Sequence, residues 1–170
     1  MKNTTRLILA ALVCTGMVAC AKKTTTPTEQ VDTTESQTQV EPAPNEGAFT
    51  PADLDTNSCL RQRVVYFDFD RADIRSEAQE ILACHAKYLR DRPSSAMTLE
   101  GHADERGTRE YNLGLGERRG NAVSQALVAN GGSAGQITVV SYGEERPTCS
   151  ETSEECWGKN RRVEIVYTAK

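Results

Sequence analysis

The chain is 170 residues long, with 24 acidic and 20 basic side chains and a formal net charge of −4 at pH 7. That balance lacks the basic excess of a nucleic-acid binder, and two histidines leave little material for metal or acid–base chemistry. The acidity is uneven: residues 20–58 carry two lysines and seven acids, whereas residues 59–170 carry 16 basic and 17 acidic groups and are close to neutral.

In chain order, Lys2 and Arg6 form a basic start and Leu7 to Val18 a short apolar run, the pattern of an export signal over residues 1–19. The run is too short to span a bilayer as a helix. Met17-Val18-Ala19-Cys20 resembles the lipobox of bacterial lipoproteins, with Met17 where leucine is usual. The resemblance implies acylation of Cys20; two or more acyl chains, at about 0.8 kcal/mol per buried methylene, make anchoring effectively permanent. Ala21-Lys22 offers no acidic retention signal, which favours a lipid-anchored place on the outer membrane, facing the periplasm. Residues 21–56 are rich in Thr, Pro, Glu and Gln and nearly free of apolar side chains, so they read as a disordered tether. A tether of roughly 35 residues spans about 30–35 Å as a coil and reaches about 110 Å when stretched. The lipidated cysteine and tether are assigned to residues 20–58 and a single folded domain to residues 59–170.

Within that domain Val64 to Phe69 has the composition of a strand, followed by a loop from Asp70 to Arg75. Ser76 with Gln79 three residues later resembles a capping box. Ala78, Ile81, Leu82, His85 and Leu89 then form the apolar stripe of a helix that stops before Pro93. Met97 to Gly101 is a second strand and His102 to Glu110 a polar loop. A second helix runs from Asn112 to Asn130 and stops at Gly131-Gly132; Gly114 and Gly120 inside it are each expected to cost about 1 kcal/mol relative to Ala. Gln136 to Tyr142 and Arg162 to Thr168 are further strands, separated by a loop holding Cys149, Cys156 and Trp157. The order β-α-β-α-β-β predicts an α/β sandwich, a small mixed four-stranded sheet with both helices on one face.

Of six cysteines, removing Cys14 with the signal and Cys20 to the lipid leaves four. Export implies an oxidising compartment, so disulfides are the first reading. The favoured pairs are Cys149–Cys156, closing a short polar loop, and Cys59–Cys84, tying the domain entrance to a helix. Zinc is the runner-up without a CxxC motif or a close histidine pair, and free thiols stay open for the second pair.

The second helix carries an anomaly. Its stripe reads Leu115, Arg119, Ala122, Val123, Ala126, Leu127, so Arg119 points with the apolar side and needs a partner or a pocket. A structural salt bridge to Asp68, Asp70 or Asp104 and a ligand site are equally compatible with that spacing. The loop from His102 to Thr108 leaves a strand end just ahead of this helix, a common place for binding groups. Asp104 and Arg119 together suit a zwitterionic ligand, the acid for an ammonium and the arginine for a carboxylate. Each charge-assisted hydrogen bond contributes about 1.5–3 kcal/mol, so two or three give a reversible grip. Asp68, Asp70 and Asp73 lack the glycine turn and terminal glutamate of an EF-hand, no metal or cofactor is called for, and no activated serine or cysteine is visible. His85 reads as a satisfied core residue, Trp157 as packing, and Arg161-Arg162 as a strand-edge or solvated pair.

Val65-Tyr66-Phe67-Asp68-Phe69-Asp70, Glu100-Gly101-His102-Ala103-Asp104-Glu105-Arg106-Gly107-Thr108, Glu110-Tyr111-Asn112 and Leu115-Gly116-Glu117-Arg118-Arg119 resemble the family with OmpA-like C-terminal domains, in particular its peptidoglycan-associated lipoproteins. Val140-Ser141-Tyr142-Gly143-Glu144-Glu145 and Lys159-Asn160-Arg161-Arg162 extend the resemblance over residues 62–168. It implies non-covalent, non-enzymatic binding of peptidoglycan through the diaminopimelate of the stem peptide, with Asp104 and Arg119 at the two ends of that residue. Phe69, Asp70, Glu105, Arg106, Thr108 and Leu115 match further ligand-contacting positions. The resemblance also implies a place in the Tol–Pal system that supports envelope integrity and cell division. Its partners there would be a TolB-like periplasmic protein and other OmpA-like envelope proteins. The four domain cysteines depart from the family pattern.

Overall fold

The computed structural model describes residues 47–170. The export signal, Cys20 and the tether as far as residue 46 lie outside the described residues. The elements are α1 (Asp53–Thr56), β1 (Val64–Tyr66), α2 (Ser76–Asp91), β2 (Ala96–His102), α3 (Arg109–Ala129), β3 (Ile137–Gly143), α4 (Glu154–Asn160) and β4 (Arg162–Ala169). The sheet order is β1-β4-β2-β3, with β2 and β3 parallel and the other neighbours antiparallel. The small mixed sheet of four strands and the α/β class are therefore those expected from the pattern of elements.

The core lies between the sheet and the two long helices. Ala78, Leu82, Ala86 and Leu89 of α2 and Val123 and Leu127 of α3 meet Val65, Met97, Leu99, Val163 and Ile165 of the strands. Burying such a side chain contributes about 1.5–3 kcal/mol, and the helical spacing of 3–4 residues puts these side chains on one stripe. His85 belongs to that stripe and is fully satisfied, its ring bonded to the Tyr167 hydroxyl at 2.8 Å and the Gln62 carbonyl at 3.0 Å.

Four local expectations are corrected. Ser76 is the first helical residue rather than a cap, since Arg75 holds the N-cap position and makes no side-chain cap bond. The first strand ends at Tyr66, and the chain turns at Asp70, which takes φ of 56°, a left-handed conformation unusual outside glycine. The region around Cys156 is a helix, α4, capped by the Ser153 hydroxyl and acidic in its first turn. The domain also starts earlier than composition suggests. Leu54 and Leu60 are fully buried with Tyr88 in a second apolar cluster that Phe49 flanks, so residues 49–58 pack on the domain.

Two disulfides form, Cys59–Cys84 and Cys149–Cys156. The first ties the segment after α1 to α2; the second ties the loop after β3 to α4.

Candidate functional site

The loop after β2 and the start of α3 close around a cavity of about 210 Å³ lined by Phe69, Asp70, Asp104, Arg106, Tyr111, Leu115 and Arg119, among others. Residues from three separate stretches of sequence thus meet at one end of the sheet. Of the eight residues singled out in the sequence, six line the cavity. Thr108 instead caps α3, its hydroxyl accepting from the Tyr111 N–H at 3.2 Å. Glu105 turns outward and accepts from the Trp157 indole N–H at 3.0 Å.

Arg119 is fully buried, as its place on the α3 stripe requires. Its guanidinium makes none of the ion pairs the sequence left open. It donates to the carbonyls of Arg71 at 2.8 Å, His102 at 2.8 Å and Asp68 at 3.0 Å. Three of its five N–H groups are so used, and it lies over the Phe67 ring, 5.3 Å from the centroid. Burial pulls it down to about 10, opposed by the negative charge of Asp104. It therefore stays a cation at neutral pH, on the floor of the cavity.

Asp104 is also buried, and two arginines share it. One carboxylate oxygen accepts from the Arg106 backbone N–H at 3.1 Å and side-chain Nε at 3.2 Å. The other accepts from Arg106 Nη2 at 2.7 Å and Arg161 Nη1 at 3.2 Å. Burial by itself raises the carboxyl, but the hydrogen bonds from Arg106 and Arg161 outweigh it and hold the group below its usual range. A carboxylate has about four lone-pair sites, and all four are engaged.

Arg161 is the residue that sequence reasoning missed. It is buried rather than solvated, bonding the Phe67 carbonyl at 3.1 Å, Asp104, and Glu154 at 2.6 Å. Arg162 is buried as well, paired with Glu164 at 2.6 Å. Nothing in the local pattern announces either, because both sit at the junction of α4 and β4 and are covered by distant chain. Asn112, at 1% exposure in the first turn of α3, donates its side-chain amide to the Asp104 carbonyl at 3.1 Å and to Glu144. Tyr111 donates its hydroxyl to Asp70 across the cavity mouth. Of the three aspartates weighed against an EF-hand, two are paired with arginines, Asp68 with Arg75 and Asp73 with Arg71 at 2.8 Å, and Asp70 accepts from Tyr111.

The OmpA family model matches residues 66–161, which contain every residue of the cavity. The peptidoglycan-associated lipoprotein of Pseudomonas putida is 45% identical over 130 residues, covering 74% of this chain and 78% of that protein. The chain belongs to the OmpA family, with the peptidoglycan-associated lipoproteins. The crystal structure of the peptidoglycan-associated lipoprotein from Burkholderia pseudomallei is 42% identical, with a TM-score of 0.67 over 68% of this chain and 98% of that one. The C-terminal domain of Helicobacter pylori MotB shares the fold alone, with 22% identity and a TM-score of 0.57 over 62% of this chain and 83% of that domain.

Proposed function

We propose that this chain is an envelope lipoprotein of the outer membrane that grips peptidoglycan without cutting it. Cys20 carries the acyl anchor, the following residues act as tether, and the cavity at Asp104 and Arg119 takes the diaminopimelate of a stem peptide. The observation that carries this reading is the meeting of Asp104 and Arg119 in one cavity, with Phe69, Asp70, Arg106 and Leu115 around them. Its chemistry fits a zwitterion. The two N–H groups left on Arg119 serve a ligand carboxylate, and a ligand ammonium replaces side-chain N–H groups of Arg106 on Asp104. Arg106 is the one to yield, since its side chain is 30% exposed and that of Arg161 only 7%. Arg161 stays and keeps Asp104 ionised. The names of the relatives support the polymer, and their lipoprotein character supports the anchor. A Tol–Pal role in envelope integrity and cell division, with a TolB-like periplasmic partner, is part of the same proposal.

The test is sedimentation of the full chain with purified sacculi. Wild type pellets with them and releases no soluble fragments, whereas Asp104→Asn, which keeps the shape and removes the charge, binds at least about tenfold more weakly. Equal pelleting by Asp104→Asn removes the cavity from the reading, and fragment release replaces the binding module by a hydrolase. Pull-down of a TolB protein by the full chain tests the partner separately.

A further inference from the structure

Trp157, which the sequence suggests is packing, places its ring against the Arg106 guanidinium beside the cavity. The Arg106 guanidinium lies between two aromatic rings, 3.9 Å from the Phe69 centroid and 4.1 Å from that of Trp157. The indole is oriented by its N–H bond to Glu105 at 3.0 Å, and Glu154, one turn earlier on α4, reaches Arg106 at 3.5 Å and Arg161 at 2.6 Å. A seven-residue helix has little stability of its own. Here α4 is fastened to the preceding loop at both ends. Cys156, adjacent to Trp157, is bonded to Cys149. At the other end the buried Asn160 side chain accepts from the Thr148 N–H at 2.9 Å and donates to the Cys149 carbonyl at 2.7 Å.

We infer that Trp157, on this disulfide-clamped helix, is a positioning residue for wall binding: with Phe69 it holds Arg106 at the cavity rim once a ligand ammonium has taken Arg106's place on Asp104. The inference rests on the wall-binding reading above. Without a ligand, Asp104 fixes Arg106 by three hydrogen bonds. When those to the side chain are given up, the stacked rings and Glu154 keep the guanidinium beside the cavity, where it meets a ligand carboxylate. The Cys149–Cys156 bond matters to binding because it sets where the indole stands.

Sedimentation of the full chain with sacculi tests this through a double-mutant cycle. Trp157→Leu keeps apolar bulk but removes the π face and the N–H, and binding weakens roughly three- to thirtyfold, the range expected for a cation–π contact. Trp157→Phe, which keeps a ring over Arg106, stays within about threefold of wild type. The paired Cys149→Ser and Cys156→Ser change weakens binding in the same direction while Cys59–Cys84 remains. In an Arg106→Ala background, Trp157→Leu adds no further loss, because its effect passes through Arg106. Wild-type binding by Trp157→Leu overturns the inference and leaves the wall-binding reading intact. An equal loss in the Arg106→Ala background also overturns it, showing the indole to be packing alone. Failure of wild type itself to pellet removes both.

Discussion

Arg119 shows how a single buried charge can hold a site together. Its three N–H···O=C bonds reach across to Asp68 and Arg71 in the loop after β1 and to His102 at the end of β2, pinning those segments to α3. A lysine is a compact point charge and cannot match this fork. Arg119→Lys should therefore lower unfolding free energy by about 2–4 kcal/mol, the consequence of leaving one or two buried carbonyls unpaired, as read by urea denaturation. An unchanged midpoint would mean that the carbonyls find water instead. His102 presents the opposite case. It is 1% exposed, and among the described residues neither ring nitrogen has a hydrogen-bond partner. Burial pushes its imidazole down from 6.5 to about 4, with the positive charge of Arg162 acting in the same direction. The folded protein thus keeps the neutral form while the unfolded chain takes up a proton. The stability this provides is complete above pH 6.5 and is lost as pH falls through about 4. The full effect is on the order of 3 kcal/mol. His102→Phe should flatten the decline of unfolding free energy across that interval; an identical decline in both proteins would assign it to other groups.

At the scale of elements, α3 sits close on β2 and β3 because glycine meets glycine. A Cβ on Gly101 would lie 2.0 Å from the Gly116 carbonyl oxygen, and one on Gly116 would lie 2.3 Å from Ser141 Oγ and 2.8 Å from the Gly101 oxygen. Gly116→Ala should therefore lift α3, with Leu115 and Arg119 on it, and cost more than about 2 kcal/mol. The two helix glycines that propensity ranks as equal costs separate in the structure. Gly120 faces Val139, whose Cγ1 would be 2.6 Å from an added Cβ, whereas at Gly114 the nearest atom is the flexible end of Arg118 at 3.4 Å. Gly114→Ala should raise the thermal midpoint, gaining about 0.5–1 kcal/mol. A loss instead would mean that α3 needs that backbone freedom to close on the cavity. Helix propensity is a local quantity, and only packing reveals which glycine is a spacer. The end of the first strand illustrates the same limit. Asp68-Phe69-Asp70 continues an apolar–polar alternation, but Phe67 passes its N–H to the Arg161 carbonyl at 2.9 Å and the chain then leaves the sheet to form the cavity wall.

At the scale of the molecule, the two disulfides brace different ends. Cys59–Cys84 closes 25 residues and Cys149–Cys156 closes 7, and chain entropy assigns them about 3.5 and 2.4 kcal/mol. Replacing Cys59 and Cys84 together by serine should lower the denaturant midpoint more than replacing Cys149 and Cys156, while the latter pair has the larger effect on binding. The reverse ranking would detach α4 from the cavity. Sequence periodicity by itself determined the succession of the four strands and the two long helices, though not the short helices α1 and α4, together with the inward direction of Arg119 and the polar loop at Asp104, because a 3.6-residue stripe and a strand-to-helix loop are written in neighbouring residues. The strand order β1-β4-β2-β3, the burial of Arg161 against Asp104, the stacking of Trp157 on Arg106 and the packing of residues 49–58 were decided only by tertiary structure. These contacts join residues tens of positions apart. Which distant groups meet depends on how the whole core packs, and no local pattern encodes that.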